Sequence, residues 1–199
     1  LCGSFLKGGL GTNAIFAGHT VSDWYCILVA EPEYAREILR ATAERAVENL
    51  TLYLQAIGQY IDIILLSGTD YGSQKAEIFR PDIFKDLHVP NYRLMTDYIH
   101  KNYDVKVAMH SCGSIFNLIE HIISAGIDIL NPVHVNTANM DPQTLKDKFG
   151  DRIVFWGGGV DTQTVLPYGT PEKVAEQVRE RIRIFAPGGG FIFTPVHNL

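Results

Sequence analysis
Short apolar runs alternate with amphipathic stretches along the chain. Residues 61–66, 105–109, 127–130, 153–156 and 191–193 are apolar runs closed by polar or Gly-rich turns, and each predicts a buried strand. Residues 1–6 read as the end of a sixth strand. Helical stripes lie between them. Glu31-Pro32-Glu33 opens the first, with Pro in the first turn and acids at the positive helix end. Ala35, Ile38, Leu39, Ala46, Leu50, Tyr53 and Ile57 share its face, and Gly58 stops it. The spacing predicts a second helix over residues 90–102, with Leu94, Met95, Tyr98 and Ile99 inward. Ser114 is placed to cap a short helix carrying Leu118, Ile119, Ile122 and Ile123, stopped by Gly126. Asp141-Pro142 starts another short helix, stopped by Gly150. Thr170-Pro171-Glu172 opens a last one, with Val174, Val178, Ile182 and Phe185 in step, ended by Gly188-Gly189-Gly190. Tyr53 and Tyr60 read as packing groups, and His19, His88, His100 and His121 as surface residues.

Strands alternating with helices imply an α/β fold whose parallel sheet is covered on both faces. An open doubly wound sheet concentrates its site at one switch point, whereas a (β/α)8 TIM barrel builds a ring of loops after successive strands. Polar clusters here follow strand upon strand, which suits the barrel. A barrel takes roughly 250 residues, and this chain has 199 and ends on a strand. The expectation is a single domain over residues 1–199, the C-terminal part of a barrel truncated of its first strands and last helix.

Composition narrows the function classes. Apolar residues make up 46 % and charged residues 20 %, a globular balance that excludes bulk disorder. Lys and Arg number 17 against 22 acids, so the net charge of −5 argues against a nucleic-acid partner held by phosphate contacts. No apolar run is long enough to span a membrane. The cysteines, at 2, 26 and 112, are too few and odd in number for a disulfide framework and fit a reducing, cytoplasmic compartment. The chain opens on Leu1 with no signal-peptide pattern, as expected of a piece of something longer.

The polar residues with chemical potential fall just after expected strands: Asp70, His110, Cys112, Asn131, His134, Asp161 and His197. In a parallel α/β fold that edge is the active-site face. His110-x-Cys112 is the sharpest local feature, since residues i and i+2 of an extended backbone point the same way. An imidazole and a thiolate suit zinc, which in catalytic sites takes about three protein ligands and keeps one position open. His197, after the last strand, is the candidate third ligand because barrel closure brings that edge inward. Against this stand a buried filler cysteine and a hydrogen-bonded core histidine. Asp70 reads as a ligand-binding carboxylate or as a turn aspartate bonding its own backbone. Asn131 and His134 read as pocket lining or as a turn. Gly157-Gly158-Gly159 before Asp161 admits close approach of a ligand, or makes a tight turn.

Taken together these segments resemble the uroporphyrinogen decarboxylase superfamily from about residue 27 to the end. The resemblance rests on Gly68-Thr69-Asp70-Tyr71-Gly72-Ser73-Gln74, His110-Ser111-Cys112-Gly113-Ser114, Gly126-Ile127-Asp128-Ile129-Leu130-Asn131-Pro132 and Met140-Asp141-Pro142. It continues through Gly158-Gly159-Val160-Asp161-Thr162-Gln163, Gly169-Thr170-Pro171-Glu172, Gly188-Gly189-Gly190-Phe191 and Thr194-Pro195-Val196-His197-Asn198. The resemblance implies a (β/α)8 barrel and two kinds of enzyme. One decarboxylates uroporphyrinogen without a cofactor, using an arginine-rich segment and an early aspartate that would lie before Leu1. The other moves methyl groups between a corrinoid and a thiol with zinc, held by a His-x-Cys and a cysteine after the last strand. His110 and Cys112 match that pair, while His197 stands where the cysteine is expected, which leaves either a His2Cys zinc site or no zinc. A histidine near the last strand also occurs in the decarboxylase branch.

The motif His-Ser-Cys-Gly favours the methyltransferase side. The resemblance then implies Zn2+ on His110, Cys112 and His197, with Asp70, Gln74, Asn131, His134, Asp161 and Gln163 lining the substrate pocket. It implies a corrinoid co-substrate on a partner protein or a small-molecule methyl donor, and it leaves a homodimer open. The alternatives are the porphyrinogen decarboxylase and a corrinoid- or tetrapyrrole-binding module without catalysis.

Overall fold
A computed structural model describes residues 2–4 and 15–197. The chain opens on β1 (Cys2–Ser4) and an antiparallel hairpin of β2 (Ile15–Phe16) and β3 (His19–Thr20). Helices α1 (Val21–Ala30) and α2 (Pro32–Ile57) lead to β4 (Ile63–Gly68). Then follow α3 (Pro81–Ile83), α4 (Val89–Asn102), β5 (Lys106–His110), α5 (Ile119–Ser124) and β6 (Ile129–Asn131). The chain continues through α6 (Pro142–Phe149), β7 (Val154–Trp156), α7 (Val165–Tyr168), α8 (Pro171–Phe185) and β8 (Phe191–Ile192).

Strands β1, β4, β5, β6, β7 and β8 form one parallel sheet in that order. Spatial order equals chain order, so every crossover advances the same way. The switch point of a doubly wound sheet is therefore missing from these strands, and the winding is that of a (β/α)8 barrel. The expected sixth strand is Cys2–Ser4, paired with residues 63–65; Leu1, Phe5 and Leu6 lie outside the described residues. Several strands end later than their apolar runs, because ladder pairing sets their limits. Ser67 and Gly68 pair with Met109 and His110, and His110 pairs with Asn131.

α2 buries Ala35, Leu39, Ala43, Ala46, Leu50 and Leu54 and packs on α1 and α4. A π-helical turn, Phe84–His88, joins α3 to α4 in one rod. Pro90 explains it, having no N–H to offer the Asp86 carbonyl. The guanidinium of Arg36, from α2, donates to that carbonyl at 3.1 Å instead. The wide turn also shifts the helical register. His88 is 1 % exposed, not a surface residue, and packs against the rings of Tyr71, Phe79 and Phe84. Leu94 is exposed, and Tyr92, Met95, Thr96 and Ile99 face inward with their neighbours.

Three other local expectations change. Ser114 caps no helix: its N–H donates to the Ser73 carbonyl, and Phe116–Leu118 forms a 3-10 turn before α5. Tyr60 ends the 3-10 turn Gly58–Tyr60 and is exposed. Ile182 is exposed on α8, where Phe185 is the buried anchor. α1, whose apolar positions show little contrast, is a helix capped by Thr20 and anchored by Trp24 and Leu28. Among the described residues no helix is long and apolar enough to cross a membrane.

The helices expected to open at Asp141-Pro142 and Thr170-Pro171 do so, with Asp141 and Thr170 as their N-caps. Asp141 Oδ2 accepts from the Thr144 N–H at 2.8 Å and its hydroxyl at 2.7 Å. Those bonds, the N–H first, hold the carboxyl below its usual value. Asp141→Ala therefore lowers stability at neutral pH by about 1 kcal/mol. A lowered folded value means the stabilisation is complete above about pH 5 and fades as pH falls through that value. Denaturant unfolding of both proteins at neutral and acid pH checks this: the difference shrinks on acidification.

Candidate functional site
The C-terminal ends of β4, β5, β6 and β7 and the segment after β8 carry the candidate residues to one edge. Two glycines bring the first two loops together. Gly72, after β4, and Gly113, after β5, meet backbone to backbone. A Cβ on Gly113 would stand 2.3 Å from the Gly72 carbonyl carbon, and one on Gly72 2.8 Å from the Cys112 carbonyl oxygen. Gly113 also has φ +90°, a conformation glycine adopts without strain. The contact is stitched on both sides. Ser114 N–H donates to the Ser73 carbonyl, and Tyr71 N–H donates to the Ser111 hydroxyl at 3.0 Å. Tyr71 is itself fixed, fully buried with its hydroxyl 2.7 Å from that of Tyr92.

This apposition sets Asp70 against the His110-x-Cys112 segment. Cys112 N–H donates to Asp70 Oδ1 at 2.9 Å. Cys112 Sγ lies 3.3 Å from His110 Nε2, and Asp70 Oδ1 lies 3.7 Å from the same nitrogen. The expected alternation holds: His110 and Cys112 meet, while Ser111 between them is buried on the other side. One ligand atom from each of Asp70, His110 and Cys112 falls within 4.8 Å of the others. Nitrogen and sulfur ligands at about 2.1 and 2.3 Å from a tetrahedral zinc stand about 3.6 Å apart. The donor set and its spacing therefore fit zinc.

Asn131, at the end of β6, backs His110. Its Oδ1 is 2.8 Å from His110 Nδ1, and its Nδ2 donates to the Trp156 carbonyl at 3.1 Å. A cavity of about 520 Å³ opens beside them, lined by His110, Asn131, Trp156, Thr194 and His197 among others. His197 thus faces the same space as His110. Its ring is 5.5 Å from that of His134, centroid to centroid.

His134 is buried, with Nδ1 accepting from the Gly113 N–H at 3.1 Å. Burial, then the neighbouring His197, pushes its pKa down, so it is a neutral imidazole that braces the Gly113 turn. Asp161 is a turn residue. Its carboxylate takes the N–H groups of Gln163 and Thr164, the Thr164 hydroxyl and the Asn136 amide. Partial burial raises its pKa, and those four bonds outweigh it to leave the value low. Gln74 and Gln163 are exposed; the Gln74 carbonyl accepts from the Ala138 N–H of another loop, and the Gln163 N–H donates to the Asp161 carboxylate. The grouping of Asp70 with His110 and Cys112, and the role of Gly72 and Gly113, were not legible in the sequence. Their position just after strands was the available signal.

Burial, and then the Asp70 carboxylate, push the Cys112 thiol up to about 12. In metal-free protein near pH 8, Cys112 is therefore alkylated much more slowly than exposed Cys26. Asp70→Asn removes a like charge and speeds the Cys112 reaction. Mass-spectrometric timing of iodoacetamide labelling checks both. Gly113→Ala lowers stability by about 3 kcal/mol through the backbone clash and the left-handed φ, which thermal unfolding reads as a loss of about 6–12 °C.

No curated protein matches the chain. A solved structure, a methyltransferase from Methanosarcina mazei, superposes with a TM-score of 0.71 at 16 % identity, covering 100 % of this chain and 52 % of that one. At that identity the likeness concerns the fold, and the chain spans about half the length of that structure. The family model described as uroporphyrinogen decarboxylase (URO-D) matches residues 11–199. The barrel winding, the edge of strand-end polar residues and that match agree: the chain belongs to the URO-D family.

Proposed function
We propose that this protein is a methyltransferase of the URO-D family that carries out zinc-assisted methyl transfer between a corrinoid and a thiol or another small methyl donor or acceptor. The observation that carries the reading is the convergence of His110 Nε2, Cys112 Sγ and Asp70 Oδ1 at one strand edge. His110 and Cys112 are the anchoring ligands. Asp70, in reach of both, or His197, facing the same cavity, completes the protein set. One coordination position then remains for substrate. Zinc bound there lowers the pKa of a thiol and presents it as the thiolate.

The surrounding residues have separate tasks. Asp70 holds the Cys112 backbone N–H, which fixes the loop that carries the sulfur. His134 braces the next residue, Gly113, from the other side. Trp156 and Thr194 give the cavity wall one aromatic face and one hydroxyl for orienting a small substrate. The methyl donor in this reading is a corrinoid carried by a partner protein or a methylated small molecule. The likeness to the Methanosarcina mazei methyltransferase supports the same side of the family.

Elemental analysis of protein purified without chelator tests the metal. About one zinc per chain is expected, lost in Cys112→Ser and His110→Ala. Retention in Asp70→Asn but not His197→Ala, or the reverse, identifies the third ligand. Loss of the methyl group from methylcobalamin in the presence of a thiol, followed by visible absorbance, tests the reaction. A metal-free protein that instead binds an acidic tetrapyrrole would replace this reading with the decarboxylase activity that gives the family its name.

A further inference from the structure
We infer that Asn131 is a positioning residue that locks His110 in one tautomer, with the proton on Nδ1 and the Nε2 lone pair turned toward Cys112 and Asp70. The inference deepens the zinc reading above, but its first observable does not depend on metal.

A chain of hydrogen bonds runs across three strands. The Trp156 carbonyl, at the end of β7, can only accept a hydrogen bond. The Asn131 side-chain group 3.1 Å away is therefore its amide NH2. That leaves Oδ1, 2.8 Å from His110 Nδ1, as the other end of the amide. A carbonyl oxygen also only accepts, so His110 Nδ1 carries the hydrogen. In the neutral ring Nε2 then has a free lone pair. That nitrogen is the one 3.3 Å from Cys112 Sγ and 3.7 Å from Asp70 Oδ1.

The sheet fixes these positions. His110 and Asn131 are register partners in the parallel β5–β6 pair. Trp156 follows Phe155, the partner of Leu130 in the β6–β7 pair. The backbone of one strand thus orients an amide on the next, which orients an imidazole on the third. Such an outer partner fixes the tautomer and ring orientation of a metal-binding histidine, and its loss typically weakens metal binding about 10–100-fold.

The test uses protein labelled with 15N at histidine, metal-free and near pH 8, in long-range proton–nitrogen correlation spectra. The His110 signals are assigned by their disappearance in His110→Asn. Wild type is expected to show a protonated Nδ1 and an unprotonated Nε2. Asn131→Leu, which removes the acceptor, loses this pattern and gives the other tautomer or a mixture. In competition with a chromophoric chelator, Asn131→Leu binds zinc about tenfold or more weakly. A wild-type His110 protonated on Nε2, or identical patterns in wild type and Asn131→Leu, overturns the inference. The wild-type spectrum decides even if Asn131→Leu does not fold. Wild type that shows the Nδ1–H tautomer but takes up no zinc would sustain the role of Asn131 and sink the zinc reading instead.

Discussion
The apposition of Gly72 and Gly113 is the constraint on which the site depends. Two loops from neighbouring parallel strands touch through bare backbone, at distances that leave no room for a side chain on either residue. Without that closeness Asp70 would not reach the Cys112 N–H, and three donor atoms would not gather within 4.8 Å of one another. The contact is held from below by packing. Tyr71, next to Asp70, is buried among Phe79, Phe84 and His88, and its hydroxyl is tied through Tyr92 to Ser67. The same aromatic cluster relies on the π-helical turn that Pro90 imposes. A helix irregularity remote from the chemistry thus helps seat the loop that carries Asp70.

Polar groups at this edge are arranged in a directional series. Backbone carbonyls and N–H groups, whose roles are fixed, set the orientation of Asn131 and His134. Those side chains in turn set what His110 and the Cys112–Gly113 turn can do. Preorganisation of this kind leaves an imidazole nitrogen, a half-buried thiol and a carboxylate facing one another. In water such a trio would disperse. Here the sheet register and the glycine contact keep it assembled, and a divalent cation is the natural counterweight to a thiolate and a carboxylate side by side.

Family membership and fold agree with this picture at different levels. The URO-D match covers nearly the whole chain, and the six-stranded parallel sheet in chain order is barrel winding. The Methanosarcina mazei methyltransferase shares that fold at low identity. Chemistry is a separate matter, since one barrel supports many reactions through its strand-end loops.

Much of this was legible in the sequence because it depends on short-range pattern. Apolar runs mark strands wherever both faces of a sheet are covered, and the caps at Asp141 and Thr170 need only local geometry. His110 and Cys112 stood out because two-residue spacing at a strand end points both the same way. The rest required long-range contacts. His88 is buried where the π-helical turn before Pro90 shifts the helical register, and Ser114, whose N–H is tied to the Ser73 carbonyl of another loop, precedes a 3-10 turn and its hydroxyl makes no cap bond. Asp70 joined His110 and Cys112 only once strand register and two facing glycines were in place. Sequence thus determined which residues could do chemistry and on which edge they would lie. Tertiary structure decided which of them meet, because distances between separate strands are set by ladder pairing and backbone packing, which local periodicity does not encode.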